Sequence, residues 1–181
     1  MDLGLTGRRA IVTAGSKGLG RACARSLAAE GVAITLNARA PGPLAETAAE
    51  IRAEFGVEVT EVAADVTTAD GRDALLAACP EPDILVANPG VRQVPTPFAE
   101  ITGPEWREWL ELHYLSALEL AQAVTEGMKA RRFGRIVSMS VSFIKFPQVG
   151  FAHSHAARLA LSGALAAAAR ELIPHNVTVN T

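Results

Sequence analysis

The segment Thr13-Ala14-Gly15-Ser16-Lys17-Gly18-Leu19-Gly20 is the part of the chain whose residue types and spacing most directly suggest chemistry. Glycines so spaced let the backbone turn tightly and approach a pyrophosphate. A helix beginning there adds free N–H groups and the positive end of its dipole. About twenty residues further on, a β-branched run closes as Asn37-Ala38-Arg39, where dinucleotide-binding folds meet the adenosine ribose. A carboxylate at that point would accept from a free 2′-hydroxyl, whereas the Arg39 guanidinium suits a 2′-phosphate. Lys17, inside the turn, is a second cation for the same phosphate. Together they favour NADP(H) over NAD(H), although either charge alone is also what a solvated surface residue looks like. A Walker-type phosphate loop is excluded, because no Gly-Lys-Ser/Thr follows at the needed spacing.

A glycine cluster gains meaning from the elements around it. Arg9–Ala14 reads as a buried strand and Leu19–Glu30 as a helix closed by Gly31, so the turn joins a first strand to a first helix. Val32–Ala38 is a second strand. A Pro/Gly turn follows, then a helix over Leu44–Phe55 stopped by Gly56, and a third strand over Val57–Ala64. Asp70–Ala78 reads as a short helix and Asp83–Ala87 as a strand halted by Asn88-Pro89-Gly90. Thr102-Gly103-Pro104-Glu105 has the pattern of a capping box with proline in the first turn, opening a long helix towards Ala130. Arg135–Ser140 is a fifth strand, Ser154–Leu172 an Ala-rich helix and Val177–Asn180 a sixth strand. This alternation predicts one α/β domain over residues 1–181: a Rossmann-type, doubly wound parallel sheet with helices on both faces.

Composition agrees with that class. Of the 181 residues, 49% are hydrophobic and 20% charged, as expected where strands are covered on both faces. The formal net charge of −2 provides no basic field for nucleic acid. Two cysteines, Cys23 and Cys79, form neither a disulfide framework nor a zinc spacing, so no metal site is expected and both read as buried, reduced thiols. No apolar run is long enough for a signal peptide or a bilayer span, so the expectation is a soluble, cytoplasmic protein without a membrane partner.

With these residues placed, the chain resembles the short-chain dehydrogenase/reductase family from Leu5 to its last residue, above all the 3-oxoacyl-acyl-carrier-protein reductase-like members. The family's Thr-Gly-x-x-x-Gly-x-Gly is met by Thr13 to Gly20, with Ala14 replacing the first glycine. Asp65-Val66 is similar to the pair that holds adenine. Ala87-Asn88-Pro89-Gly90 is similar to the Asn-Asn-Ala-Gly turn that lines the cofactor, and Gly134–Val137, Arg170–His175 and Val179-Asn180 also look like family segments. The resemblance implies NADP(H) held by Thr13, Gly15, Ser16, Lys17, Gly18, Leu19, Gly20, Arg39, Asp65, Val66, Asn88 and Gly90. It also implies hydride exchange with a small-molecule carbonyl or alcohol, a 3-oxoacyl group being the example those members offer.

The family's catalytic residues are replaced. Aligning Leu161-Ser162-Gly163 and Arg170-Glu171-Leu172 puts Ser154 at the tyrosine and Arg158 at the lysine of the family's Tyr-x-x-x-Lys pair. The family serine falls on Val141, between Ser140 and Ser142, and the helix asparagine on His113. A serine hydroxyl is far too weak an acid to stand in for a tyrosine whose pKa a neighbouring cation lowers. Arg158 has donors for the nicotinamide ribose but cannot itself be the acid. Ser140, Ser154, Arg158, His113 and His155 are therefore the candidate catalytic set. His155 and His113 are the candidate acids, and Ser140 is the candidate for orienting a carbonyl. The bland alternative puts His153 and His155 in a solvated helix start and His113 packed beneath a strand. Two functions remain: an NADP-dependent oxidoreductase with rebuilt proton delivery, or a catalytically impaired or regulatory NADP-binding protein. Family members continue beyond Val-Asn with a substrate-covering segment and a last strand, which the sequence is expected to lack. The small residues of Ser154–Leu172 (Ala156, Ala157, Ala160, Gly163, Ala164 and Ala167) favour close helix approach, and with the resemblance imply a homodimer or homotetramer.

Overall fold

The fold was obtained as a computed structural model that describes residues 2–90 and 95–181. Six strands, β1 (Arg9–Val12), β2 (Ala33–Ala38), β3 (Val59–Ala63), β4 (Ile84–Ala87), β5 (Gly134–Ser138) and β6 (Val177–Asn180), form one parallel sheet in the order β3-β2-β1-β4-β5-β6. Between them run α1 (Gly18–Ala29), α2 (Pro41–Phe55), α3 (Ala69–Ala78), α4 (Gly103–Leu110), α5 (Ser116–Arg131) and α6 (Ala152–Leu172).

Side chains alternate across the sheet, and each face acquires its own core. Ala10, Val12, Ile34, Leu36, Ile84 and Val86 pack with residues of α1 and α2. Ile11, Leu85, Ala87 and Ile136 pack with residues of α3, α5 and α6 on the other face. Burial on both sides is why the strands read as continuous apolar runs. The chain winds outward from β1 in one direction and from β4 in the other. The crevice at the carboxyl ends of these two strands is the topological switch point, where ligands of such sheets bind. No described helix is long and apolar enough to cross a membrane.

Most element boundaries shift by a residue or two from the sequence reading, and four of the differences bear on the site. β1 ends at Val12 because Ala14 turns to φ 47°, in the left-handed region, so the strand cannot continue through it. α2 begins at Pro41 and not Leu44; prolines are tolerated in a first turn, whose N–H groups have no intrahelical partner. β5 ends at Ser138, leaving Ser140 in the following loop. The long helix expected from Thr102 is opened by the predicted capping box, with both reciprocal bonds formed, but is interrupted at Glu111–Leu115 by a π-helical turn.

Candidate functional site

The glycine turn is shaped by contacts that leave no room for side chains. A Cβ on Gly15 would lie 2.3 Å from Leu36 Cδ1, and one on Gly20 would lie 2.3 Å from the Ala14 carbonyl oxygen. Gly18 opens α1 at φ +57°, a conformation glycine adopts without cost. Ala14 replaces a glycine of the family motif in the same left-handed region, a placement that costs about 1 kcal/mol. The turn is also fastened from outside. Gly15 N–H donates to the Asn37 carbonyl at 2.8 Å, and the Thr47 hydroxyl of α2 donates to the Ser16 carbonyl at 2.9 Å. The Thr13 hydroxyl accepts from Asn88 N–H at 2.8 Å and donates to the Asn88 carbonyl at 2.9 Å, locking the end of β1 to the end of β4. Gly90, at φ +80°, brings its turn towards the Ala14 methyl. α1 itself has no side-chain cap and no acidic residue in its first turn. Its first N–H groups are thus available to a phosphate, which is the fit a dinucleotide requires.

Further along the same sheet edge, the Asn37 amide donates to the carbonyls of Val62 and Ala64 at 2.9 and 3.0 Å, pinning β2 to β3. Arg39, exposed, and Asp65-Val66 therefore emerge from adjacent strand ends. Partial burial pushes the Asp65 carboxyl up, but donors on Thr67 and the nearby Arg39 charge outweigh it and leave the pKa below the usual value. Thr67 donates to Asp65 through both its N–H (3.0 Å) and its hydroxyl (2.8 Å). α3 closes against this loop, since a Cβ on Gly71 would lie 2.0 Å from the Asp65 carbonyl oxygen. Arg72 Nη1 donates to the Val66 carbonyl at 2.9 Å. Lys17, Gly18 and Leu19 lie exposed at the rim.

The other half of the site lies past β5. Arg158 is only 8% exposed. Its Nε donates to the Ser154 hydroxyl and its Nη1 to the Met139 carbonyl, both at 3.4 Å. Burial lowers its pKa from the ordinary arginine value. The i, i+4 spacing of Ser154 and Arg158 does put both on one face of α6. His113, on the π-turn, is fully buried, and neither ring nitrogen finds a hydrogen-bond partner among the described residues. Burial first, then the charge of Arg158 and the proximity of His153, push its pKa down to about 3. Ser140 Oγ and His155 Nδ1 are also buried without a hydrogen-bond partner among the described residues. Val141 starts a 3₁₀ turn and contributes no hydroxyl. The chain's single tyrosine, Tyr114, lies on the π-turn partly buried against the core, and the hydrogen bonds that Ser154 makes among the described residues go to His153 and Arg158 and not to it.

Two side chains matter more here than sequence reasoning suggested. His153 is 1% exposed, accepts the Ser154 N–H at Nδ1 (2.9 Å), and stacks on Trp109 with ring centroids 4.1 Å apart. Trp109 in turn lies 5.0 Å from the His113 ring. The His153 side chain is thus buried and not part of a solvated helix start. The i, i+4 spacing of Trp109 and His113 was the available signal for half of this stack. Its other half comes from α6, which no spacing could reveal.

Residues 8–181 match the family model described as short chain dehydrogenase. The uncharacterized oxidoreductase YvaG of Bacillus subtilis (strain 168) is 34% identical over 185 residues, covering 100% of this chain and 69% of the relative. L-sorbose reductase from Gluconobacter frateurii, solved in complex with NADPH and L-sorbose, superposes with a TM-score of 0.93 at 34% identity, covering 98% of this chain and 68% of that one. An NAD+-bound xylitol dehydrogenase superposes with a TM-score of 0.86 at 25% identity, covering 96% and 68%. The chain spans 64–69% of the length of the first curated relatives it matches.

Proposed function

The chain belongs to the short-chain dehydrogenase family, and we propose that it binds NADP(H) and acts as an oxidoreductase on a carbonyl or alcohol substrate. The observation that carries this reading is the tightly fastened glycine turn at the switch point, with an uncapped α1 behind it and Arg39 at the end of β2. When bound, the nicotinamide would supply the hydride acceptor or donor. Thr13 and Asn88 tie the strand ends together at the β1–β4 junction, the α1 N–H groups face the pyrophosphate, and Lys17 adds a second cation to the 2′-phosphate contact. Arg39 takes the 2′-phosphate, Asp65 and Val66 the adenine, and Arg158 the nicotinamide ribose. Proton delivery falls to His155, or to a water held near Ser140. Ser154 is too weak an acid, Arg158 keeps its proton, and His113 is neutral near pH 7.

A second reading is favoured by one feature: among the described residues, no group of tyrosine-like acidity meets Ser154. In it the protein binds NADP(H) without turning over. Incubation with NADPH and a panel of ketones separates the two, since turnover supports the oxidoreductase and tight binding without turnover supports the binding protein. If NADPH is not bound at all, both readings fail.

We further place the protein in the cytoplasm as a homodimer or homotetramer. What supports association is that Ala156, Ala160, Gly163 and Ala167 leave an exposed, small-residue surface on α6. Analytical ultracentrifugation tests it: a monomer at all concentrations would contradict the proposal.

A further inference from the structure

A hydroxyl inside a helix ordinarily returns to the carbonyl four residues back. Ser116 and Thr125 of α5 do so, donating to Leu112 and Ala121 at 2.8 and 2.7 Å. Thr47, in the middle of α2, does not. It is 2% exposed, and its hydroxyl leaves the helix to donate to the Ser16 carbonyl in the glycine turn, at 2.9 Å. A hydroxyl has one proton to give, and among the described residues this is the only hydrogen bond the Ser16 carbonyl accepts. The consequence lies on the other side of the Ser16–Lys17 peptide. In a trans peptide the carbonyl and the N–H point in opposite directions. Tying the Ser16 carbonyl to α2 therefore aims the Lys17 N–H away from α2. That N–H has no acceptor among the described residues, and Lys17 is the N-cap of α1, where the free N–H groups of the helix begin.

α2 is itself set on α1. Glu50 and Glu54, three and seven residues beyond Thr47 and so on its face of the helix, pair with Arg21 and Arg25 of α1. The same helix begins two residues after Arg39. One element thus joins the residue assigned to the 2′-phosphate to the turn assigned to the pyrophosphate. We propose that Thr47 is a positioning residue for the cofactor: through the Ser16 carbonyl it fixes the Ser16–Lys17 peptide, so that the Lys17 N–H is already aimed at the pyrophosphate. It acts through the turn and not by contact with the ligand. A peptide left free to rotate would have to be ordered on binding, and that ordering weakens affinity. The role deepens the dinucleotide reading above and rests on it.

Isothermal titration of the whole chain with NADPH and with adenosine 2′-monophosphate tests the role without requiring turnover. The second ligand keeps the adenine and the 2′-phosphate but has no pyrophosphate. Thr47→Val replaces the hydroxyl by a methyl of similar size and should weaken NADPH binding about threefold to tenfold, the range of one neutral hydrogen bond. It should leave adenosine 2′-monophosphate within about twofold of wild type, which a general loosening of the fold would not do. Thr47→Ala, a second variant without the donor, should show the same selective loss. Thr47→Ser keeps the donor and should restore NADPH binding to within about twofold of wild type. Arg39→Ala, by contrast, should weaken both ligands. Circular dichroism confirms that each variant folds. An equal loss for the two ligands, or a failure of Thr47→Ser to restore NADPH binding, overturns the proposal. If wild type binds no NADPH, the cofactor reading falls and the role of Thr47 with it. If wild type and the donor-free variants bind NADPH alike, the positioning role alone falls.

Discussion

Arg72 and Arg158 are equally hidden, each 8% exposed, yet they are held in opposite ways. Arg72, in the first turn of α3, donates to the Val66 carbonyl and forms ion pairs with Glu111 on the π-turn and Glu119 on α5. Its charge is matched twice, and it ties the loop after β3 to the long helix on the same face of the sheet. Arg158, on α6, has two long contacts with neutral oxygens and no carboxylate among the described residues. The first arrangement is complete within the fold. The second keeps donors without a partner among the described residues, a difference that equal burial does not reveal.

The largest effect expected from this contrast is on acid stability. Burial first, and then Arg158's unmatched charge, hold His113 neutral, with a pKa of about 3 against an ordinary 6.5. The unfolded chain therefore binds the His113 proton more readily than the folded one. The stabilisation is fully present above pH 6.5 and is lost as pH falls towards 3, at about 1.4 kcal/mol per pH unit. Urea unfolding at a series of pH values should show a shallower acid limb for His113→Asn than for wild type. Parallel limbs would mean that His113 is not held neutral.

Next come the two arginines themselves. Arg72→Met removes the charged donor to the Val66 carbonyl and both ion pairs, and should cost about 1.5–3 kcal/mol of unfolding free energy, mostly from the buried hydrogen bond because Glu111 and Glu119 stay in contact with solvent. Arg158→Met removes a charge that nothing matches, and should leave the ligand-free protein within about 1 kcal/mol of wild type or more stable. Similar losses in both variants, by denaturant titration at pH 7, would mean that the two arginines are held alike.

A third arginine sharpens the comparison from the solvent side. Arg39 is exposed, so its charge needs no partner in the free protein, and Arg39→Ala should leave stability alone. It should weaken NADPH binding by roughly 10- to 150-fold while changing NADH binding little. Equal wild-type affinities for the two cofactors would end the case for a 2′-phosphate contact.

The smallest effect belongs to Ser154→Ala. The hydroxyl accepts one long hydrogen bond from Arg158 and is no acid, so most of any turnover and all but about 1 kcal/mol of stability should remain. Loss of turnover with cofactor affinity intact would put Ser154 at the centre of proton transfer.

By itself, the sequence determined what depends on near neighbours along the chain. Strand and helix order follows from apolar periods, and the Thr102–Glu105 capping box from residues three apart. The turn from Thr13 to Gly20 follows from where glycine alone fits, and the shared face of Ser154 and Arg158 from one helical turn. Tertiary structure decided the rest. A π-turn at Glu111–Leu115 is invisible in a stretch whose period is helical, and it is held where Trp109 and His113 meet His153 of α6. Nor does Gly71-Arg72 differ in kind from Ala157-Arg158 as sequence. One is matched by carboxylates and the other is not, among the described residues, because compensation of a buried charge depends on groups brought from distant elements, and no local pattern encodes that encounter.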